Sequence, residues 1–334
     1  MSKESYNWLI NLNSLDFNKK SVIIVGSGWM ADQYALALSK LKVQTVDIIS
    51  NTEESGKKFF EKYKFNFKSG GYEKNLPLLE KADLVIIATP IQKLTGAVNL
   101  AIDCGQTNIL LEKPGALYHR ELSLLLKKLT NQRVRIAFNR ILYSNFYKLK
   151  HLVKQDGGIT SCIIDFTEWI HRINFEKLTA EICNRWGICN SLHVISMAME
   201  IIGMPKQLSS CCFGKLDWHP TGSIFVGSGI TEKNIPFTYH ADWGSAGRWG
   251  IEIITKKNAY RLIPLESLSV CTKGDNTWNQ IHFESVFPDV KPGVAEEIAV
   301  MLADPKEDQI PLISLSRAIE YHKLAEKIFG YKKT

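Results

Sequence analysis

Between Ser21 and Phe138 the chain alternates short apolar runs with amphipathic stretches, and this rhythm restricts its fold more than any other feature. The runs cover 21–26, 43–49, 83–88, 108–111 and 134–138, and helical spacing fills 30–41, 53–63, 93–104 and 118–129 between them. Strands of a parallel sheet are buried on both faces and read as continuous apolar runs, whereas crossover helices are apolar on one face only. The expectation is an α/β fold in which residues 1–139 form a doubly wound, parallel-sheet, nucleotide-binding domain. Residues 1–20 precede it as an extension whose Tyr6, Trp8, Leu9, Ile10 and Leu12 read as a short outer helix.

After Asn139 the rhythm changes. A strand at 162–166, a helix at 190–202 closed by Gly203 and Pro205, and strands at 223–231, 236–243, 249–255 and 259–263 follow one another. Short turns such as Thr231–Asn234 imply an antiparallel meander, and 314–329 has helical spacing. Residues 140–334 are expected to form an α+β domain on an open, largely antiparallel sheet.

Composition narrows the function. With 45% hydrophobic and 22% charged residues, the chain reads as globular. The net charge of +7 comes from scattered lysines, which argues against nucleic acid and suits anionic small molecules. No apolar run is long enough to span a membrane, the N-terminus lacks a signal-peptide core, and a cytoplasmic location is expected. The seven cysteines include no C-x-x-C pair and read as reduced thiols. Cys189 and His193 share a helical face, but no further metal-ligand motif joins them, so no metal site is expected.

The strongest local signal is Gly26-Ser-Gly28-Trp29-Met30-Ala31, directly after a strand and opening a helix. Gly26 permits the tight turn, Gly28 lets the backbone approach a pyrophosphate, and Ala31 allows close helix–strand packing. Ser50-Asn51-Thr52 ends the second strand without the carboxylate that would repel a 2′-phosphate, while Asp47 lies within the strand. With Lys57 or Lys58 nearby, NADP is favoured over NAD as the cofactor, although no arginine occupies the usual place. Thr89-Pro90 and Glu112-Lys113-Pro114 end later strands, where ligand crevices form in open α/β sheets.

These motifs, with Asn139-Arg140 and His193, resemble in order and spacing the Gfo/Idh/MocA family of glucose–fructose oxidoreductase and inositol dehydrogenase. The resemblance runs from Ser21 through nearly the whole chain. It implies an N-terminal Rossmann domain, a C-terminal sheet that mediates homo-oligomers (dimer or tetramer), and NAD(P)-dependent hydride transfer on sugars or related polyols. Lys113 then matches the lysine that binds the reacting oxygen, and His193 the general acid/base. By the same placement Gly26, Gly28, Trp29, Met30, Ser50, Asn51, Thr89, Pro90, Glu112 and Lys113 contact the cofactor. Arg140, Trp169, Arg185 and Asn190 are the candidates for substrate contact, with Trp169 equally readable as a core or oligomer residue. Trp218, His219, His240, Trp243, Arg248 and Trp249 read as sheet packing or a subunit interface.

Three departures from the family pattern stand out. An aspartate common four residues before the histidine is Cys189, one common three residues after it is Ser196, and Leu94 replaces a histidine after the T-P motif. They leave open a redirected substrate, a reductase of an imine or tetrapyrrole, or a dinucleotide-binding sensor without turnover.

Overall fold

The computed structural model describes residues 12, 15–303, 306 and 310–332. The predicted N-terminal helix lies outside the described residues except for Leu12, which is buried. The chain divides into two units, one formed by Glu4–Leu142 and Ser285–Ile319, the other mainly by Tyr143–Glu284 and Glu320–Thr334.

The first unit opens with strand β1 (Ser21–Val25), helix α1 (Trp29–Lys40), β2 (Thr45–Ile49) and α2 (Glu53–Tyr63). It continues through β3 (Asn66–Lys68), α3 (Tyr72–Asn75), β4 (Leu84–Ile87), α4 (Ile91–Asp103), β5 (Asn108–Glu112), α5 (His119–Lys128) and β6 (Arg133–Ala137). These strands are mutually parallel, in the order β6-β5-β4-β1-β2-β3. The order reverses between β1 and β4, which is where a doubly wound sheet opens its ligand crevice. Ile24, Ile86 and Leu110 are fully buried, and each such side chain contributes about 1.5–3 kcal/mol. Local signals set the helix ends: the Thr52 hydroxyl accepts from Ser55 N–H, and Lys64 closes α2 in the left-handed region.

The second unit follows with α6 (Ser144–Gln155), β7 (Ser161–Asp165), α7 (Ala180–Asn184), α8 (Leu192–Ile202), β8 (Pro205–Phe213), β9 (Ile224–Thr231) and β10 (Pro236–Asp242). Strands β11 (Gly250–Ile254), β12 (Asn258–Leu262), β13 (Ser269–Thr272) and β14 (Asn279–Gln280) complete an eight-stranded sheet, ordered β14-β13-β12-β11-β7-β10-β9-β8. It is antiparallel except for the β7–β10 pair. One face is covered and the other open, so burial alternates along β10 and leaves Ile163, Phe213 and Ile230 exposed.

The chain then returns to the first unit through α9 (Val294–Leu302) and β15 (Ile313–Ser314), which pairs antiparallel with β6. This differs from the sequence boundary at 139/140, which assigned residues 285–319 to the second domain. The return is held by contacts distant in sequence. Helix α9 is buried throughout, and Asn139 donates its side-chain amide to Pro292 O at 2.8 Å. Helix α10 (Leu315–Ile328) leads into the C-terminal residues. No helix among the described residues is long and apolar enough to cross a membrane.

Candidate functional site

In the first unit a cleft of about 410 Å³ opens at the carboxyl ends of β1 and β4. Gly26 sits at φ +124°, and a Cβ there would lie 2.4 Å from the Ala88 carbonyl oxygen, so only glycine makes this turn unstrained. Gly28 is the N-cap of α1, has no side-chain capping bond, and faces open space where a Cβ would stand. The helix thus presents its N-terminus without an intervening side chain, a setting that favours an anion. Thr89 Oγ1 is buried and lacks a hydrogen-bond partner among the described residues, and Thr89 and Pro90 both line the cleft. An open cradle, an uncapped helix end and an orphaned hydroxyl fit the diphosphate and ribose chemistry of a dinucleotide.

The other predicted cofactor residues divide. Trp29, Met30 and the exposed Asn51 line the cleft, but Ser50 does not; it is buried, and its hydroxyl donates to Thr52 O at 2.9 Å. Lys57 and Lys58 lie beside Glu53 and Glu54 in exposed i,i+4 pairs. Ser55, Tyr72 and Lys93 also line the cleft. Sequence reading did not single them out: Ser55 and Lys93 each lie three residues past a recognised motif, after Thr52 and Pro90, and Tyr72 follows a turn with no signature.

The Glu112 side chain also lies outside the cleft walls, because it is buried at the end of β5, where burial raises its carboxyl pKa. The hydrogen bond from Tyr34, at 2.6 Å, and the charges of Lys113 and Lys291 oppose that rise. Tyr34 O–H also lies 3.2 Å from Glu297 on α9, whose carboxyl burial pushes well above the usual range. Lys113 itself is half-buried and precedes a cis bond to Pro114. The Lys291 ammonium lies 4.6 Å from the Trp29 ring centroid and 3.3 Å from Met30 Sδ, joining the glycine-turn residues to the returning segment. Arg140 is half-buried in the short turn Asn139–Leu142.

In the second unit His193 is buried near the start of α8, just after a π-helical turn over Gly187–Ser191. Such turns interrupt the regular helix and recur at functional sites. Glu168, just beyond β7, is buried and accepts from Ser191 Oγ at 2.6 Å and from Asn190 Nδ2 at 2.8 Å. Burial raises the Glu168 carboxyl pKa, and these hydrogen bonds together with the Arg248 charge oppose the rise. The expected substrate residue Asn190 is therefore tied to Glu168, and Cys189 is buried with its Sγ 3.8 Å from Ile182 O. Trp249 lies 6.1 Å from the His193 ring, and Arg248 stacks between Trp249 and Trp169.

Arg185 corrects the expectation of a substrate ligand. Its guanidinium pairs with Glu326 at 2.7 Å, both side chains are buried, and it lies over the Tyr331 ring. Its charge is taken up by helix α10, and it anchors the C-terminal residues. The same residues hold the start of α8: Gly187 N–H donates to Tyr331 Oη at 3.0 Å, and Phe329 packs against Gly187 so closely that a Cβ would lie 2.3 Å from its ring. His219 belongs to this packing, with Tyr331 Oη 2.8 Å from its Nε2 and burial lowering its pKa to about 4. Among the described residues no group of three or more histidine, cysteine, aspartate or glutamate side chains is placed to hold a metal.

The doubly wound sheet with a glycine turn at its switch point is a Rossmann-type fold. Residues 20–139 match the Gfo/Idh/MocA model, described as an oxidoreductase family with an NAD-binding Rossmann fold, and in this part the chain is similar to that family. A UDP-N-acetylglucosamine 3-dehydrogenase from Acidithiobacillus ferrooxidans is similar in structure at 11% identity, covering 94% of this chain and 98% of its own, with a TM-score of 0.72. An oxidoreductase from Agrobacterium radiobacter, solved with NAD+, L-tartaric acid and magnesium, is 13% identical over 93% of this chain and 95% of its own, with a TM-score of 0.74. Biliverdin reductase from Synechocystis, solved with biliverdin and NADP+, is 15% identical over 93% of this chain and 99% of its own, with a TM-score of 0.67. No curated protein sequence matches the chain.

Proposed function

We propose that this protein transfers a hydride between a nicotinamide dinucleotide and a CH–OH or C=O carbon of a sugar or sugar derivative. The observation that carries this reading is the open cradle at Gly28, beside the orphaned Thr89 hydroxyl, at the switch point of the first unit's sheet. Gly26, Gly28 and the N-terminus of α1 hold the diphosphate, with Trp29, Met30, Asn51, Thr89 and Pro90 along its path. NADP is favoured over NAD, because Ser50-Asn51-Thr52 follows β2 without a carboxylate, and Asp47 lies within the strand, opposite Ile23. When bound, the nicotinamide accepts or supplies the hydride.

The chain's own residues manage the proton. Lys113 stabilises negative charge on the reacting oxygen and lowers its proton affinity. His193 takes or returns the hydroxyl proton as the general acid/base. Arg140 contributes to substrate recognition. Sugar dehydrogenases occur among the proteins of similar structure. The exposed apolar residues on the open sheet face suit pairing with a second copy of the chain, which a solution mass by light scattering would test.

Lys113→Ala and His193→Ala should each lower turnover at least about a hundredfold, with the dissociation constant for the cofactor little changed. Steady-state kinetics on a sugar panel, paired with cofactor titration, reads both quantities. Near-wild-type turnover in either variant removes that residue from the mechanism.

A further inference from the structure

The second unit carries an arrangement that hydride transfer does not itself require. Arg172 closes a short 3-10 turn, Ile170–Arg172, so its guanidinium folds back over Trp169, 4.4 Å from the ring centroid. Arg248 approaches the same indole at 4.7 Å, and the His171 ring lies 6.1 Å from it. The indole is itself fixed, because its N–H donates to Gly247 O at 2.7 Å. Arg248 also stacks on Trp249 at 4.2 Å, and Trp249 lies 6.1 Å from His193. Two guanidinium groups and an imidazole are thus gathered around one indole, in a series that ends at the proposed acid/base.

Packing alone would not call for so much like charge. One arginine over an exposed indole gains about 0.5–1 kcal/mol, and a second like charge beside it returns part of that gain. The nearby acid, Glu168, already accepts from Ser191 and Asn190, and its charge is felt at Arg248 rather than Arg172. Arg172 is exposed and has no carboxylate partner among the described residues. Guanidinium groups held in fixed orientation by aromatic rings are pre-organised to grip an oxyanion through paired N–H donors.

We propose that Arg172, Trp169 and Arg248 form a subsite for a phosphate or diphosphate group of the substrate. This deepens the proposed function by naming its substrate class, a phosphorylated or nucleoside-diphosphate-linked sugar. The two guanidinium groups match the double negative charge of a phosphoryl group.

Calorimetric titration of the full chain with inorganic pyrophosphate, under saturating NADP+ to occupy the dinucleotide cleft, tests the subsite. Wild type is expected to bind one pyrophosphate, Arg172→Gln and Arg248→Gln to weaken that binding at least about tenfold each, and Arg172→Lys to restore only part of it. Malonate, the carboxylate control, should bind at least about tenfold more weakly than pyrophosphate. Because Arg172 is exposed, its substitution leaves the fold intact and carries the test. Unchanged binding in Arg172→Gln, absence of pyrophosphate binding in wild type, or equal binding of malonate would overturn the proposal. NADP+ affinity, titrated separately in each variant, stays at the wild-type value; failure of NADP+ to bind wild type would count against the proposed function and not against the subsite.

Discussion

The proposed dinucleotide cleft and the His193 cluster are built from different materials. The cleft is shaped by backbone: a glycine turn, a helix N-terminus and the ends of parallel strands. The cluster is shaped by side chains from separate segments, with Glu168 bracing Asn190 and Ser191 and Arg248 stacked between two indoles. A backbone-built site tolerates changes that leave its turn intact and fails at one or two positions. A side-chain site spreads its dependence over many residues and over the elements behind them.

The largest effect expected from this contrast is at Gly26. Gly26→Ala forces a Cβ against the Ala88 carbonyl oxygen at 2.4 Å in a left-handed conformation. It should cost about 3 kcal/mol or more of stability and weaken NADP+ binding at least about a hundredfold. Gly28→Ala meets open space, so thermal denaturation should show a loss under about 1 kcal/mol, while NADP+ affinity falls about tenfold because the methyl enters the cradle. If Gly28→Ala bound NADP+ as tightly as wild type, the diphosphate would not lie where the open space is.

Next in size is Gly187→Ala, which probes the other region from behind. Its methyl would displace the Phe329 ring, fully buried among Phe166, Phe225 and Trp243. Overpacking of this kind costs about 1–3 kcal/mol, and it should disturb the π-helical turn that leads into His193. Turnover and melting temperature should both fall while NADP+ affinity stays at the wild-type value. A parallel loss of NADP+ affinity would break the separation drawn between the two regions.

The same contrast explains what could be read in advance. Five of the six strands from Ser21 to Ala137, all but the three-residue β3, and the glycine turn were legible because their requirements are local: apolar runs, a helix start, residues without side chains. The Arg248–Trp169 stack was not, and Arg248 and Trp249 read as sheet packing or a subunit interface. These residues meet because β11 pairs with β7 so that Gly250 lies opposite Asp165, a register no short window reveals. Arg185 was misread for a related reason, since its partner Glu326 lies on the last helix. The return of residues 285–319 was also hidden, because its pairing strand is only two residues long and α9 docks through burial rather than through any motif.

The smallest expected effect lies at Glu296, a side-chain feature inside the backbone-built unit. Burial on α9 raises its carboxyl pKa from 4.5 to about 7, against hydrogen bonds from backbone N–H groups, and its Oε2 has no partner among the described residues. The folded chain therefore holds this proton more tightly than the unfolded chain does. Stability is fully present below pH 4.5 and is lost as pH rises through about 7, because ionisation then occurs in a desolvated place. Glu296→Gln should remove that slope, raising stability by about 1–2 kcal/mol at pH 8 and by nothing at pH 4. Urea denaturation at the two pH values measures the difference, with NADP+ affinity at pH 8 as the companion reading. An equal shift at both pH values would show that the gain comes from packing rather than from the proton. A change in NADP+ affinity would show that the cleft depends on the side chains beneath it as well as on its backbone.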